Sequence, residues 1–260
     1  MFSLSVLLLV MFGGCAGKQT QPQADPAEAL ERWTQFLASS SQREADSGPF
    51  SIIASLRYQN GDSGHRVTMR IWGNESYPLR LDVEAGIGAM VAQVREDHQK
   101  FVAFSPREDK ALVHNGKGKP ALALGLPIPF TIKDMVLLVQ GHYTQFFPEK
   151  FTSATVVGNG VIAYSLPSSH KGTEDDLLLL DPLGRPVQWT TQGRQGWRID
   201  FLRYSNAPQA LPDKIDVIMT DKKTATLFIK SRNRHNSQYT EAELALELPA
   251  GIKIQPIRMH

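Results

Sequence analysis

The string Gly61-Asp62-Ser63-Gly64-His65 brings a hydroxyl, a carboxylate and an imidazole together within five residues. Such a trio is the raw material of base-assisted nucleophilic catalysis. Its order is wrong for that chemistry. In the protease arrangement built on a Gly-Asp-Ser-Gly segment the histidine precedes the serine, and no histidine occurs before position 65. The sharp elbow that exposes a hydrolase serine requires Gly two residues after it, where this chain has His65. Strand-like runs on both sides make the string a hairpin loop. The seven histidines stand at 65, 98, 114, 142, 170, 235 and 260. No two of them are three or four residues apart, the spacing that puts metal ligands on one helix face. Glu174-Asp175-Asp176 reads as a solvated turn, and Gly158-Asn159-Gly160 as a turn between strands rather than a phosphate-cradling loop. The expectation is therefore a protein without catalytic residues, metal or cofactor, and not an enzyme.

The bulk composition narrows the class further. The 260 residues carry 28 basic and 26 acidic side chains for a net charge of +2, with no excess of the kind that nucleic-acid binding needs. Lys110, Lys117, Lys119, Lys222, Lys223, Arg232 and Arg234 read as balanced surface charge. Four Trp, twelve Phe and a 42% hydrophobic content argue for a packed core. A single cysteine, Cys15, excludes an internal disulfide and any multi-cysteine cluster.

Cys15 sits directly after the sequence's one strongly apolar run, residues 4–12, and the small pair Gly13-Gly14. Nine residues cannot cross a bilayer, which takes about 20, but they match the apolar region of a signal peptide. The segment resembles a bacterial lipoprotein signal, although Phe12 replaces the usual Leu and no Lys or Arg precedes the run. The resemblance implies that residues 1–14 are a signal peptide, that Cys15 is lipidated, and that residues 15–24 are a flexible tether. Ala16, where an Asp would signal retention elsewhere, implies an outer-membrane destination on the periplasmic face.

The elements that follow are mostly strands. Asp25-Pro26-Ala27-Glu28 opens a helix over about 26–39, with Leu30, Trp33 and Leu37 on one face beside Phe36, and Ser39-Ser40-Ser41 ends it. Val67, Met69 and Ile71 alternate with polar residues, as do Leu79, Leu81 and Val83. Further runs lie at 50–58, 89–96, 100–105, 161–166, 177–181, 187–191, 197–204, 214–220, 225–230 and 241–248. One helix interrupts them: Thr131 and Asp134 cap its start, Gly141 stops it, and Ile132, Met135, Val136 and Val139 recur at helical spacing. Pro127 and Pro129 stiffen the approach. So many strands with one apolar face cannot stay flat. The fold class expected is mainly β (α+β): a curled antiparallel half-barrel over residues 25–260, with a helical lid on its concave face.

Several stretches are similar, in order and spacing, to the LolB outer-membrane lipoprotein receptor family of the LolA/LolB superfamily. They are Tyr77–Met90 with its Gly86-Ile87-Gly88 loop, Gly125–Phe130 with the helix ending at Gly141, Gly184-Arg185-Pro186, Gly196–Phe201 and Leu211-Pro212. The likeness spans roughly residues 26–230. It implies a protein that accepts lipoproteins from a soluble, LolA-like periplasmic carrier, holds their acyl chains in a hydrophobic cavity, and inserts them into outer-membrane lipid as a monomer. It further implies membrane insertion by Ile87, followed by Gly88, where the family usually has Leu. The acyl cavity and lid are then expected at Trp33, Met69, Ile71, Leu79, Leu81, Met90, Ile132, Met135, Val136 and Val139. Physically, an acyl chain of about 16 carbons exposes roughly 13 kcal/mol of apolar surface that must be hidden from water. The alternatives are a structural or assembly lipoprotein with a filled core, or a binder of free lipid.

Overall fold

The computed structural model describes residues 22–61, 63–116, 118–124, 129–167, 175–191, 196–207, 209–219 and 223–258. The apolar run, Cys15 and the tether up to residue 21 lie outside them, as do Asp62, Pro127 and Ile128.

Helix α1 (Pro26–Ala45) starts where Asp25 caps the Ala27 N–H, with Pro26 at the first helical position. It runs six residues further than the serine stretch predicts. Ser40 is fully buried and its hydroxyl accepts the Thr144 N–H at 2.9 Å, so tertiary contact overrides a weak helix former. The buried face is Ala29, Arg32, Trp33, Phe36 and Ser40, while Leu30 is turned to solvent.

Six strands follow: β1 (Phe50–Asn60), β2 (Ser63–Gly73), β3 (Leu79–Ala85), β4 (Ala89–Glu96), β5 (Lys100–Ser105) and β6 (Lys110–Asn115). Then come the short helix α2 (Pro120–Ala123), helix α3 (Ile132–Gln140) and a 3-10 turn at Tyr143–Gln145. The chain returns to strand for β7 (Ser153–Gly158), β8 (Val161–Leu166), β9 (Asp176–Leu180), β10 (Pro186–Thr190), β11 (Trp197–Leu202), β12 (Lys214–Met219) and β13 (Thr224–Arg234). It ends with the helical turn α4 (Glu241–Leu244) and β14 (Lys253–Pro256).

All fourteen strands belong to one sheet, ordered β14-β6-β5-β4-β3-β2-β1-β13-β12-β11-β10-β9-β8-β7. The chain thus builds one half outward from β1, then returns through β7 to close against β1 with β13. The two edge strands do not meet, so the sheet is a curled, open half-barrel, mainly β as its alternation predicts. Every pairing is antiparallel except β14 with β6, which is parallel and departs from the expected pattern. The inward residues of each strand form one apolar face: Ile52, Ala54 and Leu56 on β1, Met69 and Ile71 on β2, Leu79 and Leu81 on β3, Ile199 and Phe201 on β11.

The stretch 241–248, expected as strand, is instead a single helical turn followed by extended chain. Thr240 and Glu243 make both bonds of a capping box there. This C-terminal segment crosses the outer face as a strap: Trp72 Nε1 donates to the Glu243 carbonyl at 3.2 Å, Asn74 and Tyr239 exchange two bonds, and the Arg80 guanidinium reaches the Ala245 carbonyl.

Candidate functional site

Helix α3 is fixed at both ends by local chemistry. Thr131 accepts the Asp134 N–H and Asp134 accepts the Thr131 N–H, 3.0 and 3.1 Å respectively. Gly141 ends the helix at φ 76°, where any other residue would be strained and its Cβ would have to push aside Leu211 Cδ2, 2.5 Å away. Between these caps the helix is apolar on most of its circumference and lies over the concave face.

Beneath its first half is a hollow of about 150 Å³. Its floor is Leu56, Val67, Met69, Leu81, Val94, Phe101 and Ala103 from β1 to β5, and its roof is Ile132 and Met135 of α3 with Ala121 of α2. Tyr58 and Thr131 are the polar-bearing side chains in its wall. A cavity of about this size with an aliphatic lining stays dry and accommodates a benzene-sized guest. With α3 in place the hollow therefore has room for only a few methylenes. A smaller cleft of about 20 Å³ lies on the far side of α3, walled by Leu138, Val139, Ile215, Val217 and Leu227. The two share Leu56, Phe130 and Met135, so they adjoin beneath α3.

The other half of the concave face is filled. Trp33 and Phe36 of α1 meet Phe151, Tyr164 and Tyr143 at ring-centroid distances of 5.0–5.6 Å. Trp189 packs edge-on against Phe147 and Trp197 at 4.7 and 4.5 Å. Trp33 Nε1 donates to the Glu149 carbonyl, and burial pushes the Tyr164 phenol up to about 12 while it donates to the Ala29 carbonyl. Hollow and core divide the concave face: an aromatic cluster fills it along β8–β11, and a local hollow lies over β1–β5.

The predicted cavity residues are distributed accordingly. Met69, Leu81, Ile132 and Met135 line the hollow. Ile71 and Leu79 lie on the same strands, buried but outside its wall; Val136 faces Phe50 and Leu79, and Val139 faces the smaller cleft. Trp33 belongs to the aromatic half, a correction that follows from where α1 sits. Met90 is the second correction. The β3–β4 register shifts at Val83/Glu84, leaving Val91 as an extra residue, so Met90 stands opposite Glu84 on the outer face. Val91 and Ala92 line the hollow in its stead.

The mouth is marked by Val91 and Leu124, which line the hollow yet are 40% and 38% exposed. Four residues from Val91 is Ile87, completely exposed at the tip of the β3–β4 hairpin between Gly86 and Gly88, both at positive φ. Ser63 and His65 lie exposed at the neighbouring β1–β2 hairpin, with the His65 ring 5.2 Å from that of Tyr58.

A buried carboxyl group ties α3 to the sheet. Glu96, 5% exposed at the end of β4, accepts the Ile132 N–H at 3.0 Å and the Tyr77 hydroxyl at 2.8 Å. Burial raises its carboxyl above the ordinary value, against the opposing effect of these donors. The Tyr77 phenol is driven up in turn, by burial first and the adjacent carboxylate second. Sequence reading missed Glu96, because a glutamate closing a strand reads as solvated. It also missed Phe101, Ala103 and Phe130, whose strands and loop carry apolar residues on both faces.

Among the described residues there is no group of three or more metal-binding side chains, and no helix is long and apolar enough to cross a membrane.

By sequence, no protein-family model and no curated protein matches the chain. By structure it is similar to a LolA superfamily protein from Nitrosomonas europaea, at TM-score 0.52 and 9% identity over 82% of this chain and 97% of that one. It is likewise similar to a DUF1329 family protein from Desulfovibrio piger, at TM-score 0.51 and 9% identity over 85% and 98%. At these identities the relation is one of architecture: the chain shares the curled, open antiparallel-sheet fold of these proteins.

Proposed function

We propose that this protein is a lipid-anchored envelope protein that shelters the acyl chains of lipoproteins beneath α3 and releases them into the outer membrane. In this reading it acts in the manner of a LolB-like receptor, loaded by a soluble LolA-like carrier and anchored through Cys15. The observation that carries it is the apolar hollow between β1–β5 and a capped helix, with half-exposed Val91 in its wall four residues from the exposed hairpin tip Ile87. The shared LolA-superfamily fold supports the same reading.

The mechanism needs no covalent chemistry. An acyl chain enters at Val91 and Leu124, α3 swings from the floor, and the hollow merges with the cleft beyond Met135. Each methylene sheltered contributes about 0.8 kcal/mol, which the bilayer matches or exceeds, so delivery runs downhill. The test is transfer. Full-length protein carrying Cys15→Ser is loaded with a fluorescent acyl lipopeptide and mixed with liposomes. Uptake followed by liposome-dependent release is expected. Absence of uptake refutes the reading, and uptake of free fatty acid but not lipopeptide makes it a lipid binder instead.

A further inference from the structure

The outer face of the sheet follows a rule of local neutralisation. A basic residue is answered two positions on by an aspartate on the same side: Arg80 by Asp82, Arg95 by Asp97, Arg198 by Asp200 and Lys214 by Asp216, at 2.6–3.3 Å. Strands β1 and β2 break it. Arg57 and Arg66 stand directly opposite each other in the antiparallel register, both exposed. Like charges in that relation destabilise a strand pair. Among the described residues neither makes an ion pair with a carboxylate. Arg66 Nε donates to Ser55 Oγ at 3.1 Å, which steadies its guanidinium on the outer face. The carboxylate next in register is Glu84, opposite Thr68, and it pairs with neither arginine.

Their position matters as much as their charge. Val67 is paired with Ala85, so Arg66 lies level with Gly86, the first residue of the loop that bears Ile87. Arg57, Arg66 and that loop occupy three adjacent strand positions, each about 4.8 Å from the next. Ile87 projects one residue, about 3.3 Å, beyond the arginine row. An apolar tip with a basic row just behind it reproduces the depth order of a bilayer surface, acyl region below and phosphate above.

We propose that Arg57 and Arg66 form a clamp for the phosphates of anionic phospholipid headgroups, engaged as Ile87 enters the same leaflet. The proposal rests on the reading of the protein as one that delivers acyl chains to a membrane, and it names the lipid class that receives them. Guanidinium groups suit the task because their planar donor forks bind two phosphate oxygens at once.

The experiment measures vesicle partitioning of the full chain carrying Cys15→Ser, so that no acyl anchor contributes. On vesicles containing phosphatidylglycerol, the Arg57→Gln/Arg66→Gln double variant is expected to partition roughly thirty-fold more weakly than its parent. On phosphatidylcholine vesicles the two should be equal, and Ile87→Glu should weaken binding to both. Acyl-lipopeptide uptake should be unchanged in the double variant. Equal binding of parent and double variant to anionic vesicles overturns the clamp. So does release of the parent by inorganic phosphate at constant ionic strength, which assigns a free-anion site instead. If the arginine-dependent binding is present while the parent takes up no lipopeptide, the clamp stands and the acyl-shelter reading falls.

Discussion

The carboxylate of Glu96 accepts the backbone N–H of Ile132 at 3.0 Å, so the last residue of β4 holds the first turn of α3. The helix N-terminus that would otherwise face an apolar hollow with unpaired donors is thereby satisfied from the sheet. Lid and floor are joined through one charge.

That charge has a pH signature. Burial raises the folded-state pKa of Glu96 above the ordinary glutamate value of about 4.5. Its contribution to stability is complete below that value and is lost as pH rises through the folded pKa. The wild type should therefore lose stability relative to Glu96→Gln as pH increases from about 4.5, read as urea midpoints at a series of pH values. A difference that is flat, or that grows in the opposite direction, removes the buried carboxylate as its source. Glu96→Ala, which leaves the Ile132 and Tyr77 donors unpaired, should cost about 1–3 kcal/mol and speed acyl-probe exchange.

Filling the hollow separates binding from folding. Ala103 lies on its floor, and Ala103→Leu adds about three carbons to a cavity with room for a few methylenes. Acyl-lipopeptide affinity should fall at least tenfold while the melting temperature holds or rises. Undiminished affinity would place the ligand elsewhere.

The aromatic half predicts the reverse. Trp33→Ala removes a side chain 2% exposed and should destabilise the fold by about 3–5 kcal/mol. The molecules that remain folded should bind lipopeptide as the wild type does, measured well below the unfolding transition.

Ile87→Glu tests the hairpin. A side chain with no buried surface should change stability by less than about 0.5 kcal/mol, yet release of lipopeptide to liposomes should slow. Release at the wild-type rate separates Ile87 from delivery.

Cys15→Ala tests the anchor. In cells supplied with a palmitate analogue, the parent should be labelled and the variant not. Label retained on the variant would show that another residue carries it.

The strands legible in the sequence were those with one wet and one dry face. Val67, Met69 and Ile71 announce themselves because Arg66, Thr68 and Arg70 intervene. Strands β6 and β7 were missed because their short runs, Lys110–Asn115 and Ser153–Gly158, mix polar and apolar residues without a clean period. The helix caps at Thr131 and Gly141 were readable since they are local chemistry. The bulge at Val91 was not: a single extra residue inverts the facing of everything beyond it and leaves no mark in composition. The hollow itself is a difference between the volume that five strands enclose and the volume that their side chains fill. No single segment records that difference.

The C-terminal segment runs over the outer face from Tyr239, bound at Asn74, Trp72 and Arg80, before β14 joins the edge at β6. A band fixed at several points on the outside of a bend is stretched when the bend tightens and slackens when it opens. In the proposed acyl shelter such a band would be a mechanical stop on one side only, permitting the sheet to open around a guest while resisting tighter curling.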